Sequence, residues 1–147
     1  MKNNPKDIAR VNSMLTDCVE LKLHDVVCIV GADELRLMIL TDSVGKRQIS
    51  AICDRAVEKE LVFRMHKTDC QGRLPEVLCS LMPGLCRDDY ALYVYDITDG
   101  TYHVHLVNRR TAEETEIRIT DAVLLSMVAN IPLLLSLIHI SEPTRRV

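Results

Sequence analysis

ALYVYDITDGTYHVHLV, residues 91–107, is the stretch that decides the fold. Two runs rich in apolar and β-branched residues, Ala91 to Ile97 and Thr101 to Val107, flank the dipeptide Asp99-Gly100. A two-residue Asp-Gly loop favours the type I′ turn, in which both central residues take positive φ and the twist suits an antiparallel pair. The stretch therefore predicts a hairpin. Outward from it, Thr115, Ile117 and Ile119 alternate with Glu114, Glu116 and Arg118, which predicts a third strand. Thr120 then reads as the N-cap of a helix through Val128, with Asp121 in the first turn, where the helix dipole favours a carboxylate. Asn130 and Pro132 end it.

The first half repeats the theme. Val19, Leu21 and Leu23 alternate with Glu20 and Lys22, and the apolar run Val26 to Val30 continues that strand. Gly31-Ala32-Asp33 marks a turn, Leu35, Leu37 and Ile39 a second strand, Thr41 to Gly45 another turn, and Gln48 to Cys53 a third strand. Asp54 suits an N-cap, and Val57, Leu61 and Met65, spaced by four, make one helix face. Leu74, Val77, Leu78, Leu81 and Met82 form the cleanest amphipathic helix in the chain, opened by Pro75 and closed by Pro83-Gly84. The order βββ-αα-βββ-α, antiparallel meanders with segregated helices, gives an α+β class. Residues 1–18 read as a polar lead-in, either a short helix or disordered, and residues 19–134 as the domain.

At 147 residues the chain suits one domain, and with no Trp and one Phe its core must be aliphatic. A net charge of −3 excludes a globally basic protein, so any nucleic-acid contact must be a local basic patch. The six cysteines, at 18, 28, 53, 70, 79 and 86, contain no C-x-x-C pair, which argues against zinc. Cys28, Cys53 and Cys79 lie in apolar runs and read as small buried hydrophobes. The opening residues, Met1 to Pro5, carry no signal peptide, so a reducing cytoplasm is expected rather than a disulfide framework. Residues 131–140 are apolar but shorter than the roughly 20 residues a membrane helix needs, so no membrane partner is expected. The eleven residues from Leu135 to Arg145 resemble the translation of a transposon-end sequencing adapter, which makes 135–147 a non-native tail. The alternative is a genuine final strand with a polar end.

Three segments are similar to the bifunctional nuclease family, a small bacterial α+β domain. Glu116 to Pro132, EIRITDAVLLSMVANIP, resembles its signature of an acidic residue, any residue, Arg, any residue, Ser, Asp and Ala, followed by an aliphatic helix and a short strand. Arg118, Asp121 and Ala122 match, while Glu116 and Thr120 are conservative replacements. Asp99-Gly100-Thr101-Tyr102 is similar to the family's Asp-Gly-x-aromatic hairpin. Gln71 to Met82 is similar to a helix that begins Arg-Pro-x-Thr-His-Asp, with Pro75 at the His position and Glu76 at the Asp position. The family's Leu-Pro-Ile-x-Ile-Gly-x-x-Glu-Ala signature is degraded at Ile49 to Glu58: Pro and Gly are absent, and Glu is replaced by Val57 or shifted to Glu58.

The resemblance implies a homo-oligomeric nuclease acting on DNA and RNA, with Mg²⁺ or Mn²⁺ as a possible cofactor. Phosphodiester hydrolysis needs an activated water and stabilisation of charge on phosphorus, which carboxylate-held metal and a guanidinium supply. The candidate catalytic residues are Asp121, Arg118, Glu116, Glu76 and Glu58, with Asp121 and Glu116 as metal ligands. Glu116 and Arg118 would share a strand face and Asp121 the adjoining helical turn. The plainer reading of these residues is a capped helix whose Arg118 pairs with Glu116 or Asp121. The degraded first-half signature supports a second function class, a non-catalytic regulatory or assembly domain. His103 and His105 share one strand face but lack an evident third ligand, so they read as partly exposed strand residues. Arg109-Arg110 reads as a solvated turn. A chain this short with two separate three-stranded units would leave sheet edges unpaired, which also points to an oligomer.

Overall fold

The computed structural model describes residues 4–31, 34–67 and 69–137. Among them lie four helices and seven strands: α1 (Pro5–Thr16), β1 (Cys18–Ile29), β2 (Leu35–Thr41), β3 (Gln48–Cys53), α2 (Arg55–Met65), α3 (Leu74–Leu81), β4 (Tyr90–Thr98), β5 (Thr101–Asn108), β6 (Glu114–Ile117), α4 (Ile119–Ala129) and β7 (Leu133–Ser136). The α+β class holds, but the order gains a helix at the front and a strand at the back, and the helices are interspersed among the strands and not segregated from them. The turn expected at 31–33 falls largely on residues outside the described ones.

The two meanders are not separate units. All seven strands form one mixed sheet in the order β3-β2-β1-β7-β4-β5-β6. The strand β7 joins the halves, antiparallel to β1 and parallel to β4. Its four residues are all buried, because a strand in the middle of a sheet covered on both faces needs no polar alternation. The expected domain end at Leu134 therefore cuts this strand in two: Leu135 pairs with Val19 and Val94, and Ser136 with Cys18. Residues 138–147 of the expected tail lie outside the described residues.

Strand alternation sends side chains to two different layers. Leu21, Met38, Leu40, Ile49, Leu92, Val94, Val104 and Leu133 face α2 and α4 and form the main core with Leu61, Val123 and Leu125. Ala91, Tyr93, Val107 and Leu134 face the other way, under α1. The lead-in is thus an integral part of the fold. Pro5 sits in its first turn and Asn4 caps it, accepting from the Lys6 amide at 2.8 Å. Val11 and Leu15, four residues apart, are buried against the sheet. Ile8 and Met14 pack beside them, so the stripe has the i, i+3, i+7 spacing of an ordinary amphipathic helix among polar residues.

Helix α2 starts as expected, with the Asp54 carboxylate accepting from the Val57 amide at 2.9 Å. The hairpin also forms as expected, with Asp99 at φ 51° and Gly100 at φ 80°. Of the three cysteines expected inside, Cys53 is buried, Cys79 half-buried and Cys28 exposed. Cys28 falls near the end of β1, beyond the cover of the helices. Helix α3 departs most: none of its residues is buried, although its apolar spacing is the most regular in the chain. No described helix is long and apolar enough to cross a membrane.

The sheet is strongly curled around its helical face. The Tyr102 hydroxyl, on β5, donates to the Ser50 carbonyl on β3, at 2.7 Å, although four strands separate these two in the sheet order. Burial pushes the Tyr102 phenol above its usual value, as expected for a ring wedged at this seam. Tyr102→Phe should cost about 1 kcal/mol, the net worth of one hydrogen bond. Urea denaturation checks this; an unchanged midpoint would mean that the seam is held by apolar contacts alone.

Candidate functional site

The curl brings together the two junctions where an edge strand hands over to a helix. At one, β3 passes through Asp54 into α2. At the other, β6 passes through Arg118 into α4. Between them lies a cleft of about 500 Å³ lined by Asp54, Glu60, Arg118, Thr120 and Asp121, with Cys53, Val57, Leu61 and Leu124 forming its apolar floor.

The residue at the head of α4 is not the expected one. Arg118 itself is the N-cap, with extended backbone, and no side chain caps the helix. Thr120 lies inside the first turn, and Ile119 is helical rather than the end of a strand. Strand β6 stops at Ile117, so Arg118 and Glu116 do not share a strand face. The first amides of α4 have no acceptor within the helix, and the helix dipole places partial positive charge there.

Arg118 Nε donates to Asp121 Oδ2 at 2.9 Å. The pair is open to solvent, with Arg118 at 79% and Asp121 at 48% exposure. The hydrogen bond to Asp121, then its charge, and to a smaller degree Asp54, hold the guanidinium proton more firmly than usual. At the cleft floor, burial and then the nearby Glu58 and Asp54 carboxylates push the Cys53 thiol up, so it is a poor nucleophile.

The other three expected residues lie elsewhere. Glu116 is the cross-strand partner of His105, on the sheet face that carries α1, where burial first and then the Glu116 charge push the Tyr95 hydroxyl up. It does not line the cleft with Asp121. Glu58 accepts from Arg36 Nε at 2.6 Å. Glu76 is bound to Arg64 through both of its oxygens, one of them at 3.1 Å, and this hydrogen bonding holds its carboxyl below the usual range. The two glutamates thus brace α2 and α3 instead of lining the cleft.

Among the described residues no three His, Cys, Asp or Glu side chains are grouped to hold a metal ion. Asp121 is engaged by Arg118 and Glu116 faces the opposite layer, so the expected Asp121–Glu116 pair does not fit Mg²⁺ or Mn²⁺ as a shared site. His103 and His105 are partly exposed, as expected; His105 Nδ1 lies 3.0 Å from Glu114 Oε1. Arg109-Arg110 lies in a turn, as expected, with Arg110 76% exposed although its Nε donates to Asp89 at 2.8 Å, while Arg109 Nη1 donates to Asn12 Oδ1 of α1 at 3.5 Å.

Asp54, Glu60 and Thr120 complete the cleft and were not among the expected site residues. Asp54 and Thr120 carried N-cap signals only. Nothing local in the sequence says that two junctions some 65 residues apart share a cleft (about that many separate Asp54 from Arg118), since only the curl of the sheet joins them. No protein-family model matches this chain, and no curated protein matches it.

Proposed function

We propose that this chain acts on nucleic-acid phosphodiesters, seating a backbone phosphate in the cleft between the starts of α2 and α4. The observation that carries the reading is the exposed Arg118 at the uncapped head of α4, facing a cleft open to solvent. A guanidinium offers a planar fork that matches two phosphate oxygens, and free helix amides add donors from a second direction. Asp121 orients the fork from within the first turn. Asp54 supplies a carboxylate beside it that can take the proton of an attacking water, whereas both oxygens of Glu60 are held by Arg64 and Arg73. The family resemblance adds the reaction class, hydrolysis of DNA and RNA. No step is assigned to a metal, because the donor set described above does not fit one.

The alternative reading, a non-catalytic regulatory or assembly domain with the same fold, is favoured by one observation. Glu58 and Glu76 are held in ion pairs that brace helices, and Glu116 stands on the other face. A nuclease assay on the purified chain, with single-stranded DNA and RNA and with Mg²⁺ or EDTA, separates the readings. Substrate loss is the expected result. Its suppression by EDTA would call for a metal bound through substrate as well as protein. No cleavage under either condition, together with no retention of a labelled oligonucleotide, would overturn the proposal.

A further inference from the structure

On the face of the sheet that carries α1 lies a second cavity, of about 450 Å³. It is lined by Arg10 and Met14 of α1, Tyr95 and Asp96 of β4, His105 of β5 and Glu114 of β6, with the buried Tyr93 beside them. The cleft at Arg118 is on the other face, so nothing said of this cavity depends on what that cleft does. The register of β4 against β5 slips between Val94 and Asp96, which makes Tyr95 the extra residue of a β-bulge. A bulge re-aims side chains, and here both Tyr95 and Asp96 reach the cavity. The Tyr95 ring packs on that of His105, with centroids 4.4 Å apart, and on that of Tyr93 at 6.3 Å. Together the rings make a wall suited to the carbon part of a ligand.

The polar groups of the cavity are acceptors. His105 Nδ1 lies 3.0 Å from Glu114 Oε1. A carboxylate only accepts, so Nδ1 carries the proton, and Nε2 of the neutral ring is left as a bare acceptor. The other oxygen of Glu114 lies 4.0 Å from Arg10 Nη2, beyond hydrogen-bond range. Asp96 accepts from the Ile97 amide at 2.9 Å and the Thr98 hydroxyl at 3.2 Å, which hold it in place and leave its charge. Glu116, opposite His105 on β6, adds a third carboxylate to this face. Burial, and then the charges of Glu116, Asp96 and Glu114, push the Tyr95 phenol up, so all three carboxylates are felt at the ring wall.

We propose that this cavity binds a small organic diammonium, a polyamine chain whose methylenes lie along the Tyr95–His105 wall and whose ammonium groups donate to His105 Nε2, Glu114 and Asp96. Charge selects this class. Three carboxylates against Arg10 repel an anion, and a neutral ligand would leave them uncompensated. Among the described residues no three His, Cys, Asp or Glu side chains are grouped to hold a metal ion, so the fitting cation is one that brings its own N–H donors and an apolar body. The volume is in the range of small-molecule sites.

Isothermal titration calorimetry of the full chain with putrescine, at physiological salt, is the test. Saturable binding is expected, with half-saturation at or below about 1 mM. Succinate, a dianion of the same chain length, should give no saturable heat. Glu114→Gln removes a charge and the lock on the imidazole, and should weaken putrescine by about tenfold or more. His105→Phe keeps the ring wall and removes the acceptor, and should weaken it comparably. Both side chains are partly exposed, so the circular dichroism spectrum should not change. Asp25→Asn, which removes an exposed carboxylate on β1, should bind putrescine as the wild type does. An absence of saturable putrescine binding by the wild type would overturn the proposal. So would equal binding of succinate, a comparison that needs no variant. Binding that survives both site variants, or that Asp25→Asn weakens as much as they do, would also overturn it, since the chain would then be drawing in a cation through its net charge alone.

Discussion

Replacing Arg64 with methionine should destabilise the protein by about 3 kcal/mol, the low end of the range for removing one partner of a buried ion pair. The Arg64 side chain is only 5% exposed and lies at the centre of a network. It donates from Nε to Glu60 at 2.6 Å and binds Glu76 through its terminal nitrogens, while Arg73 binds the other oxygen of Glu60. Methionine keeps the length of the apolar stem, so the loss reports the charge rather than a cavity. The low end is expected because Glu60 and Glu76 are partly exposed and water can repair some of their solvation. The effect falls on α3, whose own side chains are not buried and which the network ties to α2.

The same network sets a pH dependence. The hydrogen bond from Arg64 lowers the folded-state pKa of Glu76. A carboxyl with a depressed folded value contributes stability above its unfolded value, about 4.3 for glutamate, and that contribution fades as pH falls through the folded value. The stability gap between wild type and Arg64→Met should therefore be full near neutrality and shrink below about pH 4. Chemical denaturation at pH 7 and pH 3 measures it. A gap that stays constant would assign the loss to packing.

What the sequence made legible were features written in local chemistry. The Asp99-Gly100 hairpin and the Asp54 cap formed as read, because each depends on a few adjacent residues. The strands β1 to β6 lie close to where the sequence places them for the same reason, and β3 alternates buried and exposed residues along its length. The errors share a different cause. The strand β7 is a short apolar run buried on both sides, a pattern that periodicity does not distinguish from other apolar segments. In α3 the spacing reported an apolar stripe correctly but not what covers it; a helix can offer that stripe to its own core or to another chain. In α1 the packed stripe, Ile8, Val11, Met14 and Leu15, is set among polar and charged residues and so reads as part of a polar lead-in. At the candidate site, Arg118 and Asp121 stand out through their match to the family signature, and they lie three residues apart at one junction. Asp54 joined them only through the curl of the sheet, and Glu116 was lost to the opposite face because register, not spacing from Asp121, decides where it points.

Asp121→Asn separates a catalytic role from a structural one more sharply than any other change. Asparagine keeps the size of the side chain but loses the charge that holds the Arg118 fork in place, so the fold should hold while the fork is released. If Asp121 only complements the dipole of α4, the change should cost about 0.3–1 kcal/mol and leave activity alone. The proposed function predicts the same small stability cost together with a loss of nuclease activity of about a hundredfold or more, the size seen when one electrostatic stabiliser is removed. Arg118→Lys is the companion test. It keeps the charge but replaces a planar fork with a single ammonium, so a phosphate-gripping role predicts a comparable loss of activity, whereas an ion-pair role predicts little change. The two readouts, urea denaturation and cleavage of a labelled oligonucleotide, are independent. Full activity in Asp121→Asn would take this junction out of the active site. Full activity in both variants would leave the cleft without a side-chain phosphate ligand, since Arg118 is the arginine that lines it.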